Sequence, residues 1–178
     1  MSILSEQLDR LIYRDPELRA LRALARSLGR LPARRSPDAA LQVVADLSRQ
    51  LTRARYAALA VTARHDRTEG FFTAGVDPAV MARLRTPPQG HGPLGSLRYD
   101  GKPVLFEDVR EHAKAFGFPP SHPAMQRVCG VAIWARGEVR GALYIADRTD
   151  GKPFTEEDEA TLTTLAAHAS RVVETEWY

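Results

Sequence analysis

The feature that most constrains this chain is a pair of apolar runs separated by three residues. Val128-Cys129-Gly130-Val131-Ala132-Ile133-Trp134-Ala135 and Val139-Arg140-Gly141-Ala142-Leu143-Tyr144-Ile145-Ala146 flank Arg136-Gly137-Glu138. Two such runs, rich in β-branched and aromatic residues and joined across a glycine, predict a β-hairpin. Downstream, Thr155 is followed at the third position by Asp158, a variant of the capping box, and opens a helix. Leu162, Leu165, Ala166, Ala169, Val172 and Val173 form its apolar stripe.

Upstream, Ser36-Pro37-Asp38 is a cap and first turn, followed by Ala40, Val43, Val44, Leu47 and Leu51 on one helical face. Residues 55–62 then read as a strand with Tyr56, Ala58, Ala60 and Thr62 on one side. A turn at His65-Asp66-Arg67 leads to a second strand around Gly70–Thr73, and Asp77-Pro78 starts a short helix carrying Val80, Met81 and Leu84. The Gly- and Pro-dense stretch 86–98 is expected to be irregular, and Lys102–Phe106 is a short strand. Residues 107–127 show no sustained period; a loop this long in a compact domain is usually functional, often one wall of a binding site. Strands bracketed by helices in this order predict an α+β fold, its sheet mostly antiparallel with helices packed on one face.

The chain has 178 residues, enough for one domain and an appendage. Residues 36–178 are read as the domain and residues 1–35 as an N-terminal helical segment. In that segment Leu4, Leu11, Leu18 and Ala25 recur every seven residues beside Leu8, Leu21 and Leu28. Asp15-Pro16 restarts the helix, and Gly29 and Pro32 end it. Such a helix either folds back onto its own domain or forms a homodimer, and the stripe is compatible with both. Residues 1–35 also hold eight arginines against four acids, a net of +4, while the other 17 Lys and Arg against 18 acids give −1. The basic balance therefore belongs to the extension. Without an aromatic-interleaved basic patch or a DNA-binding motif, an arginine-rich helix is read as solvated surface rather than a nucleic-acid partner. No apolar run reaches the ~20 residues that span a bilayer, and the single cysteine forms no internal disulfide; both point to the cytoplasm.

The hairpin with its Gly141-Ala142-Leu143-Tyr144 segment, the following Phe154-Thr155-Glu156-Glu157-Asp158-Glu159 and the last helix together resemble the carboxy-terminal half of a GAF domain. The resemblance extends back through Pro119–Met125, Asp108, Gly90–Gly95 and Ala54–Leu59. Within that family the chain is most similar to the first sensory domain of DevS/DosS-type haem-sensor histidine kinases. This implies a six-stranded sheet, haem b held edge-on against it, a proximal histidine from the loop before the hairpin, and a tyrosine on the gas side. His122 falls on the histidine position and Tyr144 on the tyrosine, with Phe118, Met125 and His91 as further lining residues. Imidazole ligates ferrous iron, and a phenol can donate to bound gas. The sequence departs from the haem-binding pattern at Val128–Ala132 and at Ala124.

The resemblance implies a regulatory domain binding a small molecule or gas, passing its state through terminal helices of a homodimer to a histidine kinase or other output domain. The rival readings are a haem-free interaction and dimerisation module, or a thiol-dependent redox enzyme. Cys129, in an apolar strand, reads as a small buried hydrophobe rather than a reactive thiol. His65, His112 and His168 lack metal-ligand spacing. With no convergent catalytic set, the chain is read as not an enzyme.

Overall fold

The computed structural model describes residues 14–32, 36–62, 68–77, 79–80, 101–110 and 124–176. Helix α1 (Pro16–Leu28) begins as its sequence demands: Asp15 accepts hydrogen bonds from the N–H groups of Glu17 and Leu18, with Pro16 in the first turn. Helix α2 (Pro37–Thr52) repeats the device, Ser36 Oγ accepting from Ala39 N–H at 3.2 Å. Two hydroxyls on its buried face, Ser48 and Thr52, donate to carbonyls one turn back, so neither is left unpaired. Strands β1 (Ala54–Thr62), β2 (Thr68–Ala74), β3 (Val104–Phe106), β4 (Val128–Ala135) and β5 (Glu138–Arg148) follow, and helix α3 (Glu156–Glu176) ends the described chain. At its start Thr155 N–H donates to Asp158 Oδ2 at 2.9 Å while Asp158 N–H returns to Thr155 Oγ1 at 3.4 Å, a reciprocal capping box.

The strands form one sheet in the order β2-β1-β5-β4-β3, with every pairing antiparallel. This corrects the expectation of six strands. The sequence itself offers only five strand-like runs, the sixth having come from the resemblance alone. The hairpin closes on Arg136 (φ 52°) and Gly137 (φ 76°), a two-residue turn with both central residues left-handed, which matches the right-handed twist of the flanking strands. The turn is thus one residue tighter than read from sequence, Glu138 already pairing with Ala135. Gly141 is fixed by proximity: a Cβ there would lie 2.2 Å from the Ala60 carbonyl oxygen. A register shift between Ile133 and Trp134 takes the Trp134 N–H out of the ladder, and it donates to Ser170 Oγ on α3 at 2.9 Å.

Helices α1, α2 and α3 pack together on one side of the sheet. The principal core lies there, built from Leu59 and Val61 of β1, Val131 and Ile133 of β4, Leu143 and Ile145 of β5, and the inward stripes of α2 and α3. Burying each such Leu, Ile or Val side chain contributes roughly 1.5–3 kcal/mol. Helix α1 joins this core through Ala20 and Leu24, and leaves Leu18 and Leu21 42% and 52% exposed. It therefore folds onto its own domain and still presents an apolar edge. Among the described residues, no helix is long and apolar enough to cross a membrane. Of the short helix after Asp77, residues 79–80 are helical, with Ala79 N–H bonded to Asp77 Oδ1; Met81 and Leu84 lie outside the described residues.

Candidate functional site

The other side of the sheet has a different composition. Cross-strand registers set Phe71, Ala60, Ala142 and Ala132 in one row, and Thr73, Ala58, Tyr144, Gly130 and Val104 in the next. A third row runs Tyr56, Ala146, Val128 and Phe106. Because successive side chains of a strand alternate between faces, these residues share one face, opposite the helix-packed Leu59, Leu143 and Ile145. The result is a floor of Ala58, Ala60, Gly130, Ala132 and Ala142 around Tyr144, bordered by Tyr56, Phe71, Val104 and Phe106. The two apolar clusters on this side contain no residue of α1, α2 or α3, yet Ala132, Ala142 and Ala146 are buried.

Of the lining residues proposed from sequence, Tyr144 and Met125 are brought together. Both are half-buried and pack in one cluster with Val109, Val128 and Ala146. His122, Phe118 and His91 lie outside the described residues, as do His65 and His112.

Met125 is held in place by a polar clamp. Val109 N–H donates to the Gln126 carbonyl at 2.7 Å, so residues 109 and 126 are tied to each other. The Asp147 carboxylate accepts from the N–H groups of Gln126 (3.1 Å) and Arg127 (2.8 Å), and Asp147 N–H donates back to the Arg127 carbonyl at 3.0 Å. Asp147 has φ 49°, a left-handed conformation that aspartate tolerates better than most residues. Arg127 extends the clamp, its Nη1 donating to the Gly151 carbonyl at 3.0 Å and its Nε lying 3.4 Å from Glu107 Oε2. Arg148 continues it to α3, bridging Asp150 and the capping Asp158 at 2.8 Å each. The guanidinium of Arg148 holds the Asp150 carboxyl well below the usual carboxylate range.

Asp108 turns the chain just after β3. Its Oδ1 accepts the Arg110 N–H at 2.9 Å, and the side-chain pairing with Arg110 brings its pKa down to about 2. Asp147 went unnoticed as a structural residue. Its only local signal is an acid ending an apolar strand, and its partners lie about 20 positions away.

Cys129 faces the helix side and is 1% exposed. Burial pushes its thiol up to about 12, with Glu159 and Asp158 adding to the effect, so the thiolate that reacts and binds metals is suppressed. The reading of a small buried hydrophobe holds.

The family model for the GAF domain matches residues 34–174. The chain belongs to the GAF family. GAF domains are generally sensory or regulatory ligand-binding modules. Among solved structures, the GAF domain of a phosphoenolpyruvate-protein phosphotransferase from Coxiella burnetii is similar with a TM-score of 0.71 at 24% identity, covering 89% of this chain and 92% of that one. The corresponding domain from Acinetobacter gives 0.67 at 19% identity, covering 97% and 94%. At these identities the likeness is one of fold.

A third similar structure corrects the reading of the chain as not an enzyme. Free methionine-R-sulfoxide reductase from Neisseria meningitidis, solved with its substrate, matches with a TM-score of 0.66 at 18% identity, covering 92% of this chain and 93% of that one. The GAF architecture hosts an enzyme, so the fold itself cannot exclude catalysis. Spacing along the chain does not reveal catalytic groups in such a fold, because they are assembled by topology rather than by sequence neighbourhood.

Proposed function

We propose that this GAF domain is a cytoplasmic sensor that binds a flat, largely apolar ligand on the face of its sheet opposite α1, α2 and α3, with haem b on His122 as the first candidate. The observation that carries the reading is the floor of Ala58, Ala60, Gly130, Ala132 and Ala142. Side chains no larger than a methyl group let a planar body approach the strands, and the aromatic border supplies apolar walls. A porphyrin is the planar body this reading puts there, with Tyr144 and Met125 beside it. His122, Phe118 and His91 enter the proposal from the sequence. Bound haem would supply an iron that takes a gas or changes oxidation state; Tyr144 would present a phenol to that ligand.

The absorption spectrum of the purified protein, before and after added hemin, tests the haem reading. A Soret band that His122→Ala abolishes supports it. A protein that stays colourless with hemin present, or a band unchanged in the variant, defeats it and leaves the sheet-face site in search of another ligand.

In other proteins GAF domains sit beside output domains such as HD or chemotaxis signalling domains. For this chain the output would be a histidine kinase or another domain, coupled through α1 and α3 in a homodimer. The exposed Leu18 and Leu21 favour that pairing, and equally favour the second reading of a ligand-free dimerisation module. Light scattering on Leu18→Glu/Leu21→Glu separates the outcomes: a dimer mass halved in the variant supports pairing through α1, and equal masses contradict it.

A further inference from the structure

On the face opposite α1, α2 and α3, the side-chain row of β4 does not end at Ala132. Its next residue on that side is Trp134, because Ile133 and Ala135 both lie in the principal core and side chains alternate. The register shift beyond Ile133 leaves this alternation intact. Ile133 is opposite Gly141 and Trp134 is opposite Val139, so the extra residue is Arg140 on β5. Arg140 pairs with Glu138 at 2.5 Å. Val139 packs with Ala132 and Ala142, in one cluster with Val104 and Tyr144. The surface that holds Tyr144 therefore continues two rows further, to Trp134 and Val139.

Trp134 is fixed there at two points. Its N–H donates to Ser170 Oγ on α3 at 2.9 Å. Its indole lies against the backbone of Gly101, where an added Cβ would stand 2.0 Å from Cζ2 and 2.9 Å from Cε2. Gly101 also has φ 66°, so both space and conformation favour glycine under the ring. Trp134 is nonetheless 42% exposed, and it is the one exposed aromatic residue among the described residues. Covering aromatic surface is favourable, and a side chain already held by its neighbours loses little further freedom when a ligand meets it. An indole that is both anchored and open is suited to receive a flat partner.

We propose that Trp134 is the far wall of the sheet-face ligand site and that it selects an extended planar π-system over a single ring. The inference rests on the reading of that face as the ligand site. Gly130, the cross-strand neighbour of Tyr144, lies four residues before Trp134. At about 3.4 Å per residue, the two rows are roughly 14 Å apart along β4. Between them β4 and β5 present Ala132 and Ala142, each no larger than a methyl group. One aromatic ring is too short to meet Tyr144 and Trp134 together, whereas several fused or conjugated rings reach both. The π face of the indole then adds an offset or edge-to-face contact that an aliphatic side chain of similar bulk does not make.

Proton–nitrogen NMR of the whole chain titrated with metal-free protoporphyrin tests the proposal, since this probe requires no iron ligand. The indole N–H resonance of Trp134 is assigned by its loss in Trp134→Phe. The expected result is a porphyrin-induced shift of that resonance larger than at any backbone amide of α2, which lies behind the sheet. The affinity should fall about fivefold in Trp134→Leu and stay within about twofold in Trp134→Phe, which keeps a π face. Phenol, a single ring, should leave the indole resonance in place. Porphyrin binding that Ala142→Leu weakens, but that leaves the Trp134 resonance unmoved in the wild type, would overturn this inference alone. An indole shift with phenol equal to that with porphyrin would overturn the selection for an extended ligand. Absence of any porphyrin binding would overturn the sheet-face reading and this inference with it.

Discussion

The two faces of the sheet are made by the same strands and differ in almost every physical respect. The helix side is filled with Leu, Ile and Val that interdigitate with α2 and α3. The opposite side carries mostly alanine and glycine at the positions across the pleat, with Tyr144 among them and the other aromatic residues at its border. Large branched side chains build the principal core; across the pleat the alanines present only methyl groups, and Ala132, Ala142 and Ala146 are buried. The contrast places the principal core on one face and, on the reading proposed above, the ligand on the other.

Several measurements break or sharpen this contrast. The largest effect is kinetic. With its thiol raised to about 12 by burial on the helix side, Cys129 should react with a thiol-specific disulfide reagent about a thousandfold more slowly than a free cysteine in unfolded protein. Reaction at the unfolded rate would mean that the helix side opens readily. Leu143→Ala, on the same side, should cost about 3 kcal/mol in urea unfolding, whereas Ala142→Gly, its neighbour on the other face, should cost less than about 1 kcal/mol. Equal costs would erase the distinction. Gly141→Ala should cost about 2–3 kcal/mol, because its Cβ would meet the Ala60 carbonyl.

Asp147→Ala should cost about 1–2 kcal/mol and speed hydrogen exchange at the Gln126 and Arg127 amides, leaving exchange in α3 unchanged. The smallest effect is acid sensitivity. The folded pKa of Asp108 lies below its unfolded value of about 3.9, so its pairing with Arg110 contributes fully above about pH 4 and is lost as pH falls towards 2. Asp108→Asn should flatten the stability profile over that interval by a small amount, since the pair is exposed and screened.

Much of the fold was legible because it rests on local signals. The caps at Asp15, Ser36 and Thr155 act within three residues, and the five strands announce themselves as apolar runs. The alternation Tyr56, Ala58, Ala60 in β1 already marked one face of the floor. That the same face of β4 and β5 is also small emerges only when register places Ala60 beside Ala142 and Ala142 beside Ala132. The sixth strand was borrowed from a family, and no residue pattern supported it. Asp147 was missed for a physical reason, since its role is to cap a segment distant in sequence. The exclusion of catalysis failed likewise, because an active site is a property of assembled topology.

The central claim is that the face opposite α1, α2 and α3, not the side they cover, receives the ligand. It is tested most directly by hemin titration of the wild type and of Ala142→Leu, which fills the floor with a larger side chain while circular dichroism monitors folding. The expected result is a Soret-detected affinity at least tenfold weaker in the variant, with its helical signal retained. Hemin binding of the wild type undiminished in Ala142→Leu would contradict the claim, and the ligand face would have to be sought elsewhere on the domain.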